Sequence, residues 1–331
     1  MDKVGVKIAV IGGGTGSFTL LSQLKHYTRH TTALVNMADD GGSTGMLRDE
    51  LGALPPGDVR QCLVALSESE RVRDLFNYRF EGGTFEGHAF GNLFLTALEK
   101  MTGSFAAAVE TAGEVLNITG EVHPVTLDPV TLVMKQADGT VTEGEFQIGH
   151  ADFGHHKRPD MTLVPKAELN PDARAAILAA DIVVIAPGNI YGSLAPALVV
   201  PGMSDALNAT KAKKVYVCNL VTKPGQTDDF KVHDFAEEIE RFGRFTLDYV
   251  LYNDDKPSKY LLDRYAKEGE YWVQYDTGLM DDAHYTAVGG HFVSKERRKQ
   301  ASASDPIANT RTLIRHDADE VARQLMRIYF A

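Results

Sequence analysis

The residues best suited to chemistry sit in short polar loops that follow apolar runs. Asp39 and Asp40 are adjacent carboxylates at the end of the apolar run 33–37 and lead into Gly41-Gly42-Ser43-Thr44-Gly45. One carboxylate there can coordinate Mg²⁺ bridging the phosphates of a nucleotide. It can equally accept hydrogen bonds from a ribose hydroxyl, as an acidic residue at the end of a second strand does. A solvated turn is the ordinary alternative for Asp-Asp-Gly-Gly. The second feature is Gly12, Gly13, Gly14, Thr15, Gly16 and Ser17, which follows Ile8-Ala9-Val10-Ile11 and precedes an apolar stretch over 18–24. The order reads as strand, glycine turn and helix N-terminus, an arrangement that aims unpaired N–H groups and the positive helix end at an anion. A phosphate-bearing nucleotide is the expected ligand. The spacing G-x-G-x-G puts Ser17 where the dinucleotide fingerprint needs its third glycine, and no P-loop lysine follows. Alone, the turn fits a nucleotide site and a tight βα corner equally well.

Other polar groups recur at similar places. Arg48 and Arg60 lie near glycine loops as candidate phosphate clamps. Asp58, after Pro55-Pro56-Gly57, suits the N-cap of a helix over 59–66. His88 and Asn92 open a helix after Gly87, where either contacts a ligand or caps the helix, capping being the plainer role for Asn92. Asn189 and Ser193 follow a Pro-Gly turn, Thr222 and Gln226 follow an apolar run at 214–220, and Asn253 ends another at 247–253. All are neutral hydrogen-bonding groups able to read a base or sugar edge. Tyr265 either faces the core or stacks on a ring, and Arg315 either binds or belongs to a helix cap. The histidines at 150, 155 and 156 have no recognised ligand spacing, so a solvated loop is expected. There is no G-x-S-x-G elbow, paired zinc motif or kinase signature set.

These loops need elements to hold them. Five apolar runs, at 8–11, 33–37, 181–186, 214–220 and 247–253, each end in a polar loop and alternate with helical stretches. The fold class expected is therefore α/β, a Rossmann-like, mostly parallel sheet flanked by helices in one domain over 1–331. In such a sheet ligands bind beyond the carboxyl ends of the strands, which brings the loops to one crevice. Residues 120–148 differ: their apolar positions are spaced for strands and Asp138-Gly139 suits a hairpin, which predicts a small antiparallel insert or flap within 120–160. The basic cluster at 295–299 and the Ser/Pro stretch after it predict a mobile surface segment, before a final amphipathic helix over 317–328. The 331 residues, 44% hydrophobic, suffice for a large core. A net charge of −11 argues against nucleic-acid and anionic-membrane partners, which recruit clustered Lys and Arg. Two cysteines make neither a disulfide framework nor a zinc knuckle. With no signal-peptide pattern and no run long enough to insert in a membrane, a cytoplasmic location is expected.

Six ordered motifs carry a resemblance: G-G-G-T-G-S at 12–17, D-D-G-G-S-T-G with L-R at 39–48, P-P-G-D-V-R at 55–60, G-H with G-N-L at 87–93, A-P-G at 186–188, and C-N-L-V-T with P-G-Q-T-D at 218–228. Together they resemble the CofD/YvcK family, over most of the chain to about Asn253, with Tyr265 and Arg-His-Asp at 315–317 similar to later family positions. One branch of that family is 2-phospho-L-lactate transferase, which handles a guanine nucleotide-activated lactate and a deazaflavin acceptor with Mg²⁺. The other, YvcK-type branch comprises cytoplasmic bacterial gluconeogenesis factors, associated with growth on gluconeogenic carbon sources and with cell shape, that bind UDP-sugars. The T-G-S ending of the first loop, the stretch from Val215 to Asp228 and Arg-His-Asp are closer to the second branch. The resemblance implies a nucleotide-sugar-binding regulatory protein, with the glycine turn on the diphosphate, Asp39 or Asp40 at the same crevice with Mg²⁺, and Tyr265 and Arg315 on the UDP-sugar. A homodimer and an unidentified regulatory partner are family-level expectations; a metal-dependent transferase is the alternative. Asn189 replaces a serine common in relatives, and Ala318 replaces a hydroxyl residue, which removes phosphorylation there.

Overall fold

The computed structural model describes residues 4–154, 158–294 and 314–331. Its strands are β1 (Val4–Gly12), β2 (Thr28–Val35), β3 (Glu121–Pro124), β4 (Thr131–Lys135), β5 (Val141–Glu143), β6 (Asp160–Val164), β7 (Ile182–Ile185), β8 (Lys213–Val217), β9 (Tyr249–Asn253) and β10 (Thr286–Gly290). Seven of them form one sheet in the order β10-β9-β8-β7-β1-β2-β3, and every neighbouring pair is parallel. Helices cover both faces of its centre, so the four β-branched residues of β7 have no exposed surface at all. From β1 the chain builds outward through β2 to β3, then returns to β7 and builds the other way. The border between β1 and β7 is therefore the topological switch point, where loops part and leave a crevice at the carboxyl ends.

The first eight helices in chain order are α1 (Gly14–Tyr27), α2 (Gly42–Leu51), α3 (Gly57–Leu66), α4 (Glu70–Asn77), α5 (Phe90–Thr102), α6 (Phe105–Leu116), α7 (Glu145–His150) and α8 (Pro171–Ala179). Much of what was expected as loop after Asp40 is the first turn of α2. The antiparallel insert exists as a three-stranded sheet, β5-β4-β6, with α7 attached. Two details differ from expectation. Residues 121–124 leave the insert and pair in parallel with β2 as the edge of the main sheet, and the insert's third strand lies beyond 148, at 160–164. Short alternating strands look alike in either sheet, because pairing partners, not local pattern, decide membership. β10 escaped notice because Thr-Ala-Val-Gly-Gly has little apolar content and serves only an edge. The insert shares the core: Leu132, Met134 and Met161 join the apolar cluster that runs from Val6 to Ile328. The basic cluster at 295–299 and the stretch at 302–306 lie outside the described residues. No described helix is long and apolar enough to cross a membrane.

Candidate functional site at the switch point

The glycine turn after β1 packs directly on the turn after β7. A Cβ at Gly16 would lie 1.7 Å from the carbonyl oxygen of Pro187, so only glycine lets the two backbones meet. Gly14 has φ +61°, the left-handed region that glycine enters freely. The N-termini of α1 and α2, at Gly13 and Gly41, have no side-chain cap of their own. Ser17 is buried under the turn with its Oγ beside Gly12, whereas Thr15 is exposed. Asp58 does not cap α3, whose N-cap is Pro56. Its carboxylate instead reaches the neighbouring helix and accepts the Gly14 N–H. Approach is again permitted by glycine, since a Cβ at Gly13 would lie 2.2 Å from Asp58 Oδ2.

Asp39 and Asp40 diverge. Asp39 Oδ1 accepts the Gly41 N–H at 3.0 Å, and its Oδ2 lies against Gly57, where a Cβ would be 2.8 Å away. Asp40 faces the insert and accepts the N–H groups of Glu145 at 3.1 Å and Phe146 at 2.7 Å, capping α7. Glu145 thereby enters the crevice beside Gly192. Nothing in the strand-end pattern singles out Glu145, which lies in the insert and arrives only through tertiary packing. The charges of these acids oppose one another. Burial, then the Asp39 charge, pushes Asp58 up to about 7; burial, then Asp39, Asp58 and Asp40, pushes Glu145 up to about 8. Asp39 is also raised, by burial first. Burial lowers the Lys223 ammonium, while Glu145 opposes that shift.

A polar layer props α2 from beneath. Ser43 Oγ is 3.0 Å from His88 Nδ1 and accepts from Asn92 Nδ2 at 3.2 Å. Arg60 donates to Asn92 Oδ1 at 2.9 Å and to Asn77 Oδ1. All four residues of the Ser43, His88, Asn92 and Arg60 set are buried. His88 and Asn92 therefore do not cap α5, whose N-cap is Ala89, and Arg60 is no phosphate clamp: its guanidinium is committed to amides below the site. Arg48, in the last turn of α2, pairs with Asp49 at 3.4 Å, and its charge reaches Asp39.

The later loops use their polar groups to close the frame. Asn189 Oδ1 accepts the N–H groups of Tyr191 and Gly192, capping a π turn over Ile190–Leu194 that carries Ser193. Thr222 exchanges bonds with the backbone of Tyr271. Gln226 Nε2 donates to the carbonyls of Ile148 at 2.9 Å and Ala151 at 3.0 Å, holding the end of α7. Asn253 Oδ1 accepts the Phe292 N–H at 3.0 Å, and the buried Tyr265 hydroxyl accepts the Ile314 N–H at 2.8 Å. Thr222, Gln226, Asn253 and Tyr265 thus hold backbone in place, where the sequence suggested base or sugar contacts. Arg315 lies on a strap paired with Ser294. Its neighbour His316 bonds the Cys218 carbonyl at 3.0 Å and lines a small cavity with Gly16 and Pro187; Asp317 caps the C-terminal helix. His150 bonds Phe146 within α7, and His155 and His156 lie outside the described residues. A groove of about 960 Å³ lies elsewhere, over β1, β2 and β3 between α6 and α8, and is lined by none of these groups.

The family described as 2-phospho-L-lactate transferase CofD matches residues 8–293. The chain belongs to the CofD family. A Thermotoga maritima relative is 39% identical over 325 residues, covering 98% of this chain and 99% of its own. A Listeria innocua protein named gluconeogenesis factor is 36% identical over 323 residues, covering 97% and 94% respectively. A crystal structure of a UPF0052 family protein from Bacillus halodurans superposes with a TM-score of 0.87 at 34% identity, over 98% of this chain and 99% of that one. In this CofD-family chain no described group of three His, Cys, Asp or Glu residues is arranged to hold a metal by itself. The donor set nevertheless suits Mg²⁺ brought with a nucleotide, which takes one or two carboxylates and completes its shell with phosphate and water. Asp39 and Asp58, both raised first by burial and then by a neighbouring carboxylate, Asp40 for Asp39 and Asp39 for Asp58, fit that role. Asp40 does not, because its oxygens serve α7.

Proposed function

We propose that this CofD-family chain is a cytoplasmic nucleotide-sugar-binding regulatory protein of the gluconeogenesis-factor kind, supporting growth and cell shape on gluconeogenic carbon sources. The observation that carries the reading is the packing of the glycine turn that opens α1 on the turn after β7 at the switch point, with the glycine-lined N-terminus of α2 following the neighbouring strand β2 and neither helix carrying a side-chain cap of its own. Their positive ends, with the N–H groups that Asp58 and Asp39 do not take, suit a diphosphate, and a chain of net charge −11 must hold such an anion through backbone rather than a basic patch. Asp39 and Asp58 would hold Mg²⁺ against that diphosphate, where the ion offsets their mutual repulsion. A ligand regulates only by binding two conformations unequally; the insert, tied to the crevice through Asp40 and Gln226, is the element in reach. Calorimetry with UDP-N-acetylglucosamine, UDP-glucose and GTP, with and without Mg²⁺, tests the reading. Saturable binding of a UDP-sugar is expected, and failure of both UDP-sugars to bind removes it.

A second reading, a metal-dependent transferase acting on a nucleotide-activated donor, is favoured by the raised carboxyls of Asp58 and Glu145, since proton-transfer groups work best near ambient pH. Incubation of a nucleotide-activated donor with a deazaflavin acceptor and Mg²⁺ decides it. Absence of product at saturation counts against that reaction.

A further inference from the structure

Helix α7 is six residues long and is held at both ends by loops of the crevice. Asp40, from the loop after β2, caps its first turn. Gln226 and Lys223, from the loop after β8, bond the carbonyls at its end. What this clamping presents to the crevice is Glu145, the first residue of the helix. Its Oε1 lies where a Cβ on Gly192 would come within 2.6 Å, and the same Cβ would be 3.3 Å from Asn189 Nδ2. Glycine at 192 therefore makes the room that Glu145 occupies. Asp39, Asp40 and Asp58 each accept a backbone N–H. The Glu145 carboxyl alone has no hydrogen-bond partner among the described residues, although it is only partly exposed.

A half-buried carboxyl held in place by a built frame and left without a partner is suited to meeting a ligand. Phosphate is a poor match beside three other acids, and the positive helix ends that suit phosphate are the N-termini of α1 and α2. Hydroxyls are a good match, because a carboxyl offers several acceptor positions to donors on adjacent carbons. We propose that Glu145 recognises the sugar hydroxyls of the bound nucleotide sugar, so that the insert carries the residue that distinguishes a nucleotide sugar from the bare nucleotide. The assignment rests on the nucleotide-sugar reading given above.

Calorimetry of the full chain with UDP-N-acetylglucosamine and with UDP tests it. Glu145→Ala is expected to weaken the sugar nucleotide roughly tenfold or more, the scale of one lost hydrogen bond to a carboxyl, and to leave UDP within about twofold. Gly192→Ala, which places a methyl on the Glu145 oxygen without touching the glutamate, is expected to give the same selective loss and carries the test should Glu145→Ala not fold. Equal weakening of both ligands, or no change in either, overturns the assignment while the nucleotide-sugar reading stands. Failure of the unmodified chain to bind any UDP-sugar overturns that reading, and the assignment falls with it.

Discussion

Gly16 has no room for a single methyl group, since the Pro187 carbonyl occupies that space and both are backbone. Gly16→Ala is expected to cost more than about 2 kcal/mol, as backbone conflicts do, read as a lowered urea midpoint. Asp58 makes a prediction of opposite kind. Its native carboxyl releases its proton at about 7, against about 3.9 in an unfolded chain. Between those values the native state holds more protons, so this group makes stability fall as pH rises. Asp58→Asn should flatten the decline between about pH 4 and 7 in urea titrations without divalent cations, leaving the part due to Glu145. His316 acts in the other direction: burial lowers it to about 4, so the unfolded chain holds the extra proton and stability rises with pH from about 4 to about 6.5. His316→Gln should remove that rise. The sequence made Asp58 visible as a polar residue before a helix, but its acceptance of a neighbour's N–H depended on α1 and α3 lying side by side.

Among the elements, the insert shows where reading from sequence stops. Asp138-Gly139 and the alternating apolar residues located the β4–β5 hairpin, because turn chemistry and strand period are local properties. That α7 would be clamped into the crevice was not legible, since its partners are 74 to 106 residues away in the chain. Gln226 illustrates the ambiguity: an amide in a strand-end loop can read a ligand or hold a helix, and residue type is the same in both roles. Gln226→Leu removes the donor to three carbonyls at the end of α7 and should cost about 1–3 kcal/mol locally. Hydrogen exchange over residues 145–151 should accelerate accordingly, while β7 and β8 keep their protection. Unchanged exchange there would show that Lys223 alone suffices.

At the scale of the whole molecule, the sheet brings five polar strand-end loops to the carboxyl side of one parallel sheet, so ligand and fold stability are linked. A UDP-sugar at about a hundred times its dissociation constant should add about 2.7 kcal/mol and raise the melting temperature by a few degrees in scanning calorimetry, with Mg²⁺ increasing the shift. Sequence alone determined the α/β class, the succession of strands ending in polar loops, the glycine turn and the hairpin insert, because period, turn chemistry and glycine spacing act over a few residues. Tertiary structure decided which polar residues face the crevice and which support it. It set Asp39 apart from Asp40, moved Arg60, His88 and Asn92 beneath α2, turned Thr222, Asn253 and Tyr265 to the frame, and brought Glu145 in from the insert. The physical reason is that a side chain's role follows from the partner across the gap, and strand order and helix packing place that partner far away in sequence. The adjacent carboxylates at 39 and 40, one facing the crevice and one capping a distant helix, show both halves of that division within two residues.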